Sequence, residues 1–443
     1  KTVPETPAGL YTATLTISDS SGAALKTADV SVKVFDFALP EKTSCETAFY
    51  LDRGQVYNKH KASGLSEDEL YKIYYDYMLE NRVCAYSLPY DLRSDASVLA
   101  EYLDNPRVNS FRVGDFTYDG QFTTTALKKI YRTLSQKQEW LDKAYFYEVD
   151  EPRNQEQLDK IISGRETIRT AWRGAKMMVP VVHDIEVSDT VDACEYIKDA
   201  IDIWCPLTPF FTPADTTVEG AFNPQPSKYN AVLGTFEERI EKEREAGKKI
   251  WWYTCCNPQN LPYNNILMTQ PGMSGRLLFW QQKQYNIEGF LYYYVNLWFN
   301  ENYWDHLDYP WSGGNAYGDG ILLYDGAKYG VTGPIGSLRF EAIRDGIEDF
   351  EVLTMLEDVA GREVVDSYIE KLSTDVVTAT TDDNLLMNTK NELYSALETA
   401  LKPPCAEGEH KGGTATCVAK AVCEVCGREY GEVNSRNHHV EDG

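Results

Sequence analysis

Basic residues are few beside acidic ones in this chain: 43 Lys and Arg face 68 Asp and Glu over 443 residues, leaving a formal charge of −25. Nucleic-acid binding requires clustered cations to neutralise phosphates, so this balance argues against that partner and for a neutral ligand. No run reaches the ~18 apolar residues that a membrane span needs. No G-x-G-x-x-G or G-x-x-x-x-G-K-[ST] turn follows a candidate strand, and no H-E-x-x-H pair is present. These absences weaken nucleotide and zinc-protease readings. The chain opens at Lys1 without the charged, apolar and small-residue series of a secretion signal, so any such peptide is expected to lie outside it.

What is present is aromatic. Thirty Tyr and nine Trp offer flat apolar faces with polar tips, which suit sugars, although most such rings belong to the core. Residues 10–17 and 28–39 read as two strands joined through Asp19-Ser20-Ser21-Gly22. An isolated hairpin is barely stable, so residues 1–40 are expected to be the C-terminal part of a β-sandwich. From residue 44, strand candidates at 46–52, 83–88, 107–112, 144–150, 176–182, 201–205, 249–254 and 289–296 alternate with helical patterns at 66–80, 95–104, 125–142, 154–173, 191–199, 227–246, 274–285 and 336–357. This alternation fits an α/β fold, a (β/α)8 TIM-like barrel over 44–401, better than an open doubly wound sheet, although a flavodoxin-like sheet is not removed. Ser66-Glu67-Asp68-Glu69 has the capping-box form.

The fourth candidate strand ends in Asp150-Glu151-Pro152, and Pro152 cannot donate to a ladder. Two carboxylates are thereby expected at the rim where barrel enzymes keep their chemistry. Glycoside cleavage needs one protonated carboxyl for the leaving oxygen and a second group to meet the charge that develops on the sugar. Neighbouring residues on an extended strand face opposite ways and cannot flank a bond. The pair therefore fits the exception in which the substrate supplies the nucleophile: a 2-acetamido oxygen attacks its own anomeric carbon, giving an oxazolinium ion. Glu151 is then the general acid and base, and Asp150 orients the acetamido N–H. The same Asp-Glu-Pro also suits the first turn of the 154–173 helix.

Aromatic strand ends support the first reading. Trp252, Tyr253 and Trp298 are expected to line a sugar pocket, with Tyr292, Tyr294 and His183 as further substrate contacts. For any single ring, packing between sheet and helices is the more ordinary fate, Trp251, Tyr292 and Tyr294 included. His183 and Asp184 form a further candidate pair after the fifth strand, with no metal motif around them. The 299–335 loop, with Trp304, Asp305, His306, Trp311 and Asp319, has the length and composition of an active-site rim.

Five segments, FYEVDEP at 146–152, WWYTCCNP at 251–258, GFLYYYVNLW at 289–298, GDGILLYDG at 318–326 and GPIGSLRFEAIRDGIEDFEVL at 333–353, together resemble glycoside hydrolase family 123 and its relatives, formerly domain of unknown function 4091. The resemblance implies a (β/α)8 catalytic domain and a retaining β-N-acetylgalactosaminidase acting on glycosphingolipid-type glycans by substrate-assisted catalysis. It also implies that Asp150 and Glu151 match the family's adjacent catalytic pair and that catalysis needs no cofactor. A catalytically silent glycan-binding surface protein and an ordinary two-carboxylate glycosidase are the alternatives.

In the last of these segments, Leu338, Phe340, Ile343, Ile347, Phe350 and Leu353 form a helical stripe, and the charges between them read as a solvated or ion-paired face with Arg344 and Glu348 at i,i+4. Beyond Lys402-Pro403-Pro404 the composition shifts, and 403–443 is expected to be a small Cys/His-rich module. Cys405, Cys417, Cys423 and Cys426, with His410, His438 and His439 nearby, leave structural zinc and two disulfides both open. Cys84, Cys205 and Cys255 fall in strands, where buried free thiols are common. A secreted or cell-surface location is expected, with attachment through regions outside the chain.

Overall fold

The computed structural model describes residues 3, 5–113, 123–182, 185–218, 228–299, 302–305, 316–403, 405–406 and 408–438. The chain divides into two compact units. One comprises Lys1–Pro40, Val352–Tyr368 and Asn384–Gly443, the other Glu41–Glu351 and Ile369–Asp383.

The larger unit is α/β with a parallel sheet. Its longest continuous piece has five strands in the order Glu46–Phe49, Gly289–Tyr292, Lys249–Thr254, Ile203–Pro206, Met178–Val181. Parallel bridges join Phe146 to Met177 and Phe49 to Ala85. Phe111–Arg112 pairs in parallel with Ala144–Tyr145, and the Arg112 N–H donates to the Tyr86 carbonyl at 2.7 Å. Every one of the eight expected strands thus contributes at least one backbone link, but most are shorter than the pattern of apolar residues implied. Apolar side chains continue past each ladder because the strand ends lead into buried loops.

Helices separate these strands, and local chemistry sets their ends. Ser66 accepts from the Glu69 N–H while the Glu69 carboxylate accepts from the Ser66 N–H, so Glu67–Glu80 starts with both orphan donors satisfied. Two expected helices are broken. The 125–142 pattern divides into Thr124–Leu134 and Gln138–Lys143, because Lys137 between them is extended. The 227–246 pattern divides into Asn230–Leu233 and Phe236–Glu245, where Gly234 takes a φ of +88° and Thr235 opens a second capping box.

Successive residues of Lys249–Thr254 alternate sides. Trp252 faces the helices, its indole N–H donating to Gln282 and its ring against Phe211 and Tyr285. Trp251 and Tyr253 therefore take the other face. Trp251 lies edge-on to Tyr145 and sits over Gly289, where an added Cβ would come within 2.4 Å of the indole. Only glycine allows that close approach.

The helix Leu338–Ala360 carries part of its charge as the expected ion-paired face and buries the rest, Asp349 and Glu351 among them. Asp349 is fully buried and accepts from Arg276 Nε at 2.6 Å and from the Trp280 indole at 2.9 Å. Glu351, also buried, accepts from the Ser44 and Cys45 N–H groups that lead into the first strand. Arg344 pairs with Glu341 and Asp345, whereas Glu348 lies 3.7 Å from Arg82.

In the smaller unit, Gly9–Ser18 and Ala24–Val34 form an antiparallel hairpin. Cross-strand partners share a face, so Tyr11, Leu15, Ile17, Val30 and Val32 make one apolar side, and all five are exposed. Phe35 and Phe37 pack on Tyr394, and the Asp36 N–H donates to Glu398.

Asp349→Ala would remove the closest carboxylate from the largely buried Arg276 guanidinium, leaving Asp345 at 3.5 Å, and would leave the Trp280 indole N–H without this acceptor, so a loss of roughly 3 kcal/mol is expected in denaturant unfolding. A change below 1 kcal/mol would show that this pair does not anchor the helix.

Candidate active site

The chain leaves the sheet at Phe146, and the next residues form a loop rather than the expected strand to 150. The Tyr147 hydroxyl closes that loop by donating to Asp150 Oδ1 at 2.5 Å. Glu151 then takes a left-handed φ of +42°, a conformation that non-glycine residues seldom occupy and that clusters at functional positions. Helix Gln155–Ala171 starts later, capped by Asn154 accepting from the Gln157 N–H, so the two acids are outside its first turn.

Each carboxylate is held by a phenol. The Tyr253 hydroxyl, from the inward face of its strand, donates to Glu151 Oε1 at 2.6 Å, and Arg153 pairs with Oε2 at 3.2 Å. Burial, reinforced by the adjacent carboxylate, pushes both Tyr147 and Tyr253 well above the ordinary phenol range, so both remain donors. Burial, then the Glu151 charge, raises Asp150 to about 6. The site thus contains two neighbouring acids of unlike environment, one desolvated and one bridged to an exposed arginine.

The other expected contacts separate into two groups. Tyr253 meets the acids. Tyr292 and Tyr293 donate to the two oxygens of Asp319 at 2.7 and 2.8 Å, and burial raises that carboxyl to about 6. Tyr294 donates to Asp52 and lies edge-on to Tyr50. Trp252 and Trp298, expected to line a sugar pocket, are held in the core of the unit. Both are buried, with the Trp298 indole donating to the Leu323 carbonyl and the ring stacking on Tyr303. Trp304 donates to Asp325 and packs on Tyr324. His183, Asp184, His306 and Trp311 lie outside the described residues.

Sequence reasoning missed Tyr147, whose signal was its spacing three residues before Asp150, and Glu148, a half-buried acid that burial raises to about 7. A cavity of about 740 Å3 opens at the ends of the first three strands, lined by Tyr50, Tyr71, Ser87, Arg93 and Arg112 among others. Ligands of α/β sheets bind outside the carboxyl ends of strands. Asp150 and Glu151 are not part of this cavity's lining.

Of the tail candidates, Cys405, Cys423 and Cys426 meet His410 in a group that can hold a metal ion, and Cys417 stands outside it. No S–S bond joins any of the ten cysteines here, and the Cys405 and Cys423 sulfurs lie 3.8 Å apart, a placement from which both the zinc and the disulfide expectation for the tail follow on.

The family model "Glycoside hydrolase 123, catalytic domain" matches residues 68–356. Among solved structures, a family 123 glycoside hydrolase from Clostridium perfringens, described in terms of glycolipid glycan hydrolysis, aligns with TM-score 0.56 at 15% identity, covering 89% of this chain and 76% of that one. A family 39 glycoside hydrolase from Bacteroides cellulosilyticus aligns with TM-score 0.37 at 12% identity over 77% and 71% of the two chains. A search of curated proteins gives no match.

Because burial raises Asp150 from 3.8 to about 6 in the folded chain, the cost of ionising it there grows as pH climbs from about 3.8 and is complete above about 6. Asp150→Asn removes that cost, so the variant's melting temperature relative to the parent should be higher at pH 8 than at pH 5. A difference independent of pH would refute the desolvated environment.

Proposed function

The chain belongs to glycoside hydrolase family 123 and is a glycosidase acting on a glycan; from that premise we propose that it is a retaining β-N-acetylhexosaminidase, with terminal N-acetylgalactosamine as its sugar, using substrate-assisted catalysis. The observation that carries this reading is the consecutive pair Asp150 and Glu151, each gripped by a tyrosine hydroxyl. Acids on adjacent residues, whose Cα atoms are ~3.8 Å apart, leave no room for a sugar between them.

In the proposed reaction the acetamido oxygen attacks the anomeric carbon as the bond to the leaving oxygen breaks. Glu151 gives its proton to that oxygen. Asp150, as an anion, accepts the acetamido N–H and offsets the charge of the oxazolinium ion. Water then adds at the anomeric carbon, its proton returns to Glu151, and the ring reopens to the acetamide with configuration retained. Tyr253 fixes one Glu151 oxygen, leaving the other, now paired with Arg153, to face the leaving group. Against Asp319, a buried acid beyond the end of strand Gly289–Tyr292, as the second carboxylate of an ordinary two-carboxylate mechanism stands the fact that both of its oxygens are taken by tyrosines.

The succession of parallel links from the first strand to the eighth and back supports a closed (β/α)8 barrel as the scaffold. The exposed apolar side of the N-terminal hairpin supports its reading as the C-terminal part of a β-sandwich. The neighbour's glycolipid glycan hydrolysis supports a glycolipid-type glycan as substrate, and with it a secreted or cell-surface location.

Turnover of an aryl 2-acetamido-2-deoxy-β-galactoside tests the proposal. Glu151→Gln should lower kcat by ~100-fold or more, the usual contribution of a positioned general acid, and Asp150→Asn should lower it as well. No turnover of any 2-acetamido glycoside would overturn it, and glycan binding that survives loss of both acids would favour a silent lectin-like role. Since Asp150 must be ionised and is raised to about 6, kcat/KM should fall as pH drops through that value. Asp150→Asn should abolish that acid limb, and a limb unchanged in the variant would assign it to another group.

A further inference from the structure

We propose that the C-terminal module is a zinc-built fold in which one Zn2+ is bound by Cys405, His410, Cys423 and Cys426, with Cys417 a bystander. The ligand atoms of these four residues lie within 4.8 Å of one another. Tetrahedral zinc, with Zn–S near 2.3 Å and Zn–N near 2.05 Å, places two sulfurs about 3.8 Å apart and a sulfur and a nitrogen about 3.6 Å apart. The Cys405 and Cys423 sulfurs are 3.8 Å apart, and the Cys426 sulfur is 3.4 Å from His410 Nδ1. A disulfide needs ~2.05 Å and would leave His410 and a third thiol without a role.

The surrounding backbone is shaped for the same purpose. Cys423-Glu424-Val425-Cys426 turns through a Gly427 N–H bond to the Cys423 carbonyl at 2.8 Å, and Gly427 takes a φ of +72°. The Lys411 N–H points at the Cys423 sulfur at 3.3 Å, the kind of outer hydrogen bond that stabilises a bound thiolate. The short hairpin of Ala421–Val422 and Glu429–Tyr430 brackets the turn, and Tyr430 stacks on the His410 ring at 5.0 Å.

The module also has little else to hold it together. Its buried apolar residues, among those described, are Ala421, Cys423 and Cys426, while Val418, Val422, Val425 and Val433 are exposed. Two of those three are ligands. A segment of this size without an apolar core needs a cross-link, and three thiolates with one imidazole select zinc among the common divalent ions. In the sequence the ligands follow C-x4-H-x12-C-x2-C, so the fourth position is filled by His410 rather than Cys417.

The test is metal content of the full chain produced in zinc-replete medium, measured by mass spectrometry of the elements, together with a non-reduced peptide map. Expected are about one zinc per chain in the parent, in Cys417→Ser and in His410→Cys, and under about a fifth of that in His410→Ala, as a single tetrahedral site requires. His410→Cys restores a ligand and so separates lost coordination from lost folding. Parent protein with under a fifth of a zinc, full zinc in His410→Ala, loss of zinc in Cys417→Ser or in His410→Cys, or a Cys405–Cys423 disulfide in the parent map would each overturn the proposal.

Discussion

The catalytic reading depends on one constraint: six residues after the strand Ala144–Tyr145 must present two charged side chains without releasing either to bulk water. Tyr147 and Tyr253 meet it by donating one hydroxyl to each acid. Hydrogen bonds to charged groups in a desolvated setting are stronger than neutral ones and fix direction as well as distance. The left-handed turn at Glu151 is the local cost of that arrangement, tolerated because both flanking carboxylates are anchored.

Much of this was legible in the residues. Each of the eight strand candidates makes a backbone link, because apolar runs bounded by turn residues and separated by helical stripes leave few other solutions. The capping box at Ser66 is present as read, since its chemistry is entirely local. Element ends were less legible. Strand 144–150 stops at Tyr145, with a last bridge at Phe146, because a side chain three residues away, the Tyr147 phenol, competes for the chain that follows. Residues such as Lys137 and Gly234 interrupted helices whose apolar periodicity ran straight through them.

The aromatic contacts show where sequence runs out. Trp252 and Tyr253 are neighbours in a run of rings, and period-two alternation says only that they face opposite ways. Which one faces the acids is decided by the packing of Trp252 on Phe211 and Tyr285 and by Gly289 beneath Trp251. Trp298 is similar: it lies at the end of an aromatic strand, yet Tyr303 and the Leu323 carbonyl bury it. In the tail, the CxxC spacing points to four cysteines, whereas the histidine thirteen residues before Cys423 completes the group. Long-range partners of this kind carry no local signature.

The central claim is that the attacking atom belongs to the substrate, and it is tested most directly by replacing the acetamido methyl of an aryl 2-acetamido-β-glycoside with mono-, di- and trifluoromethyl groups. Electron withdrawal weakens the carbonyl oxygen as a nucleophile and leaves a water or a protein carboxylate untouched. The account predicts that kcat/KM falls steeply with each fluorine. A rate indifferent to fluorination would place the nucleophile on the protein or on water and contradict it.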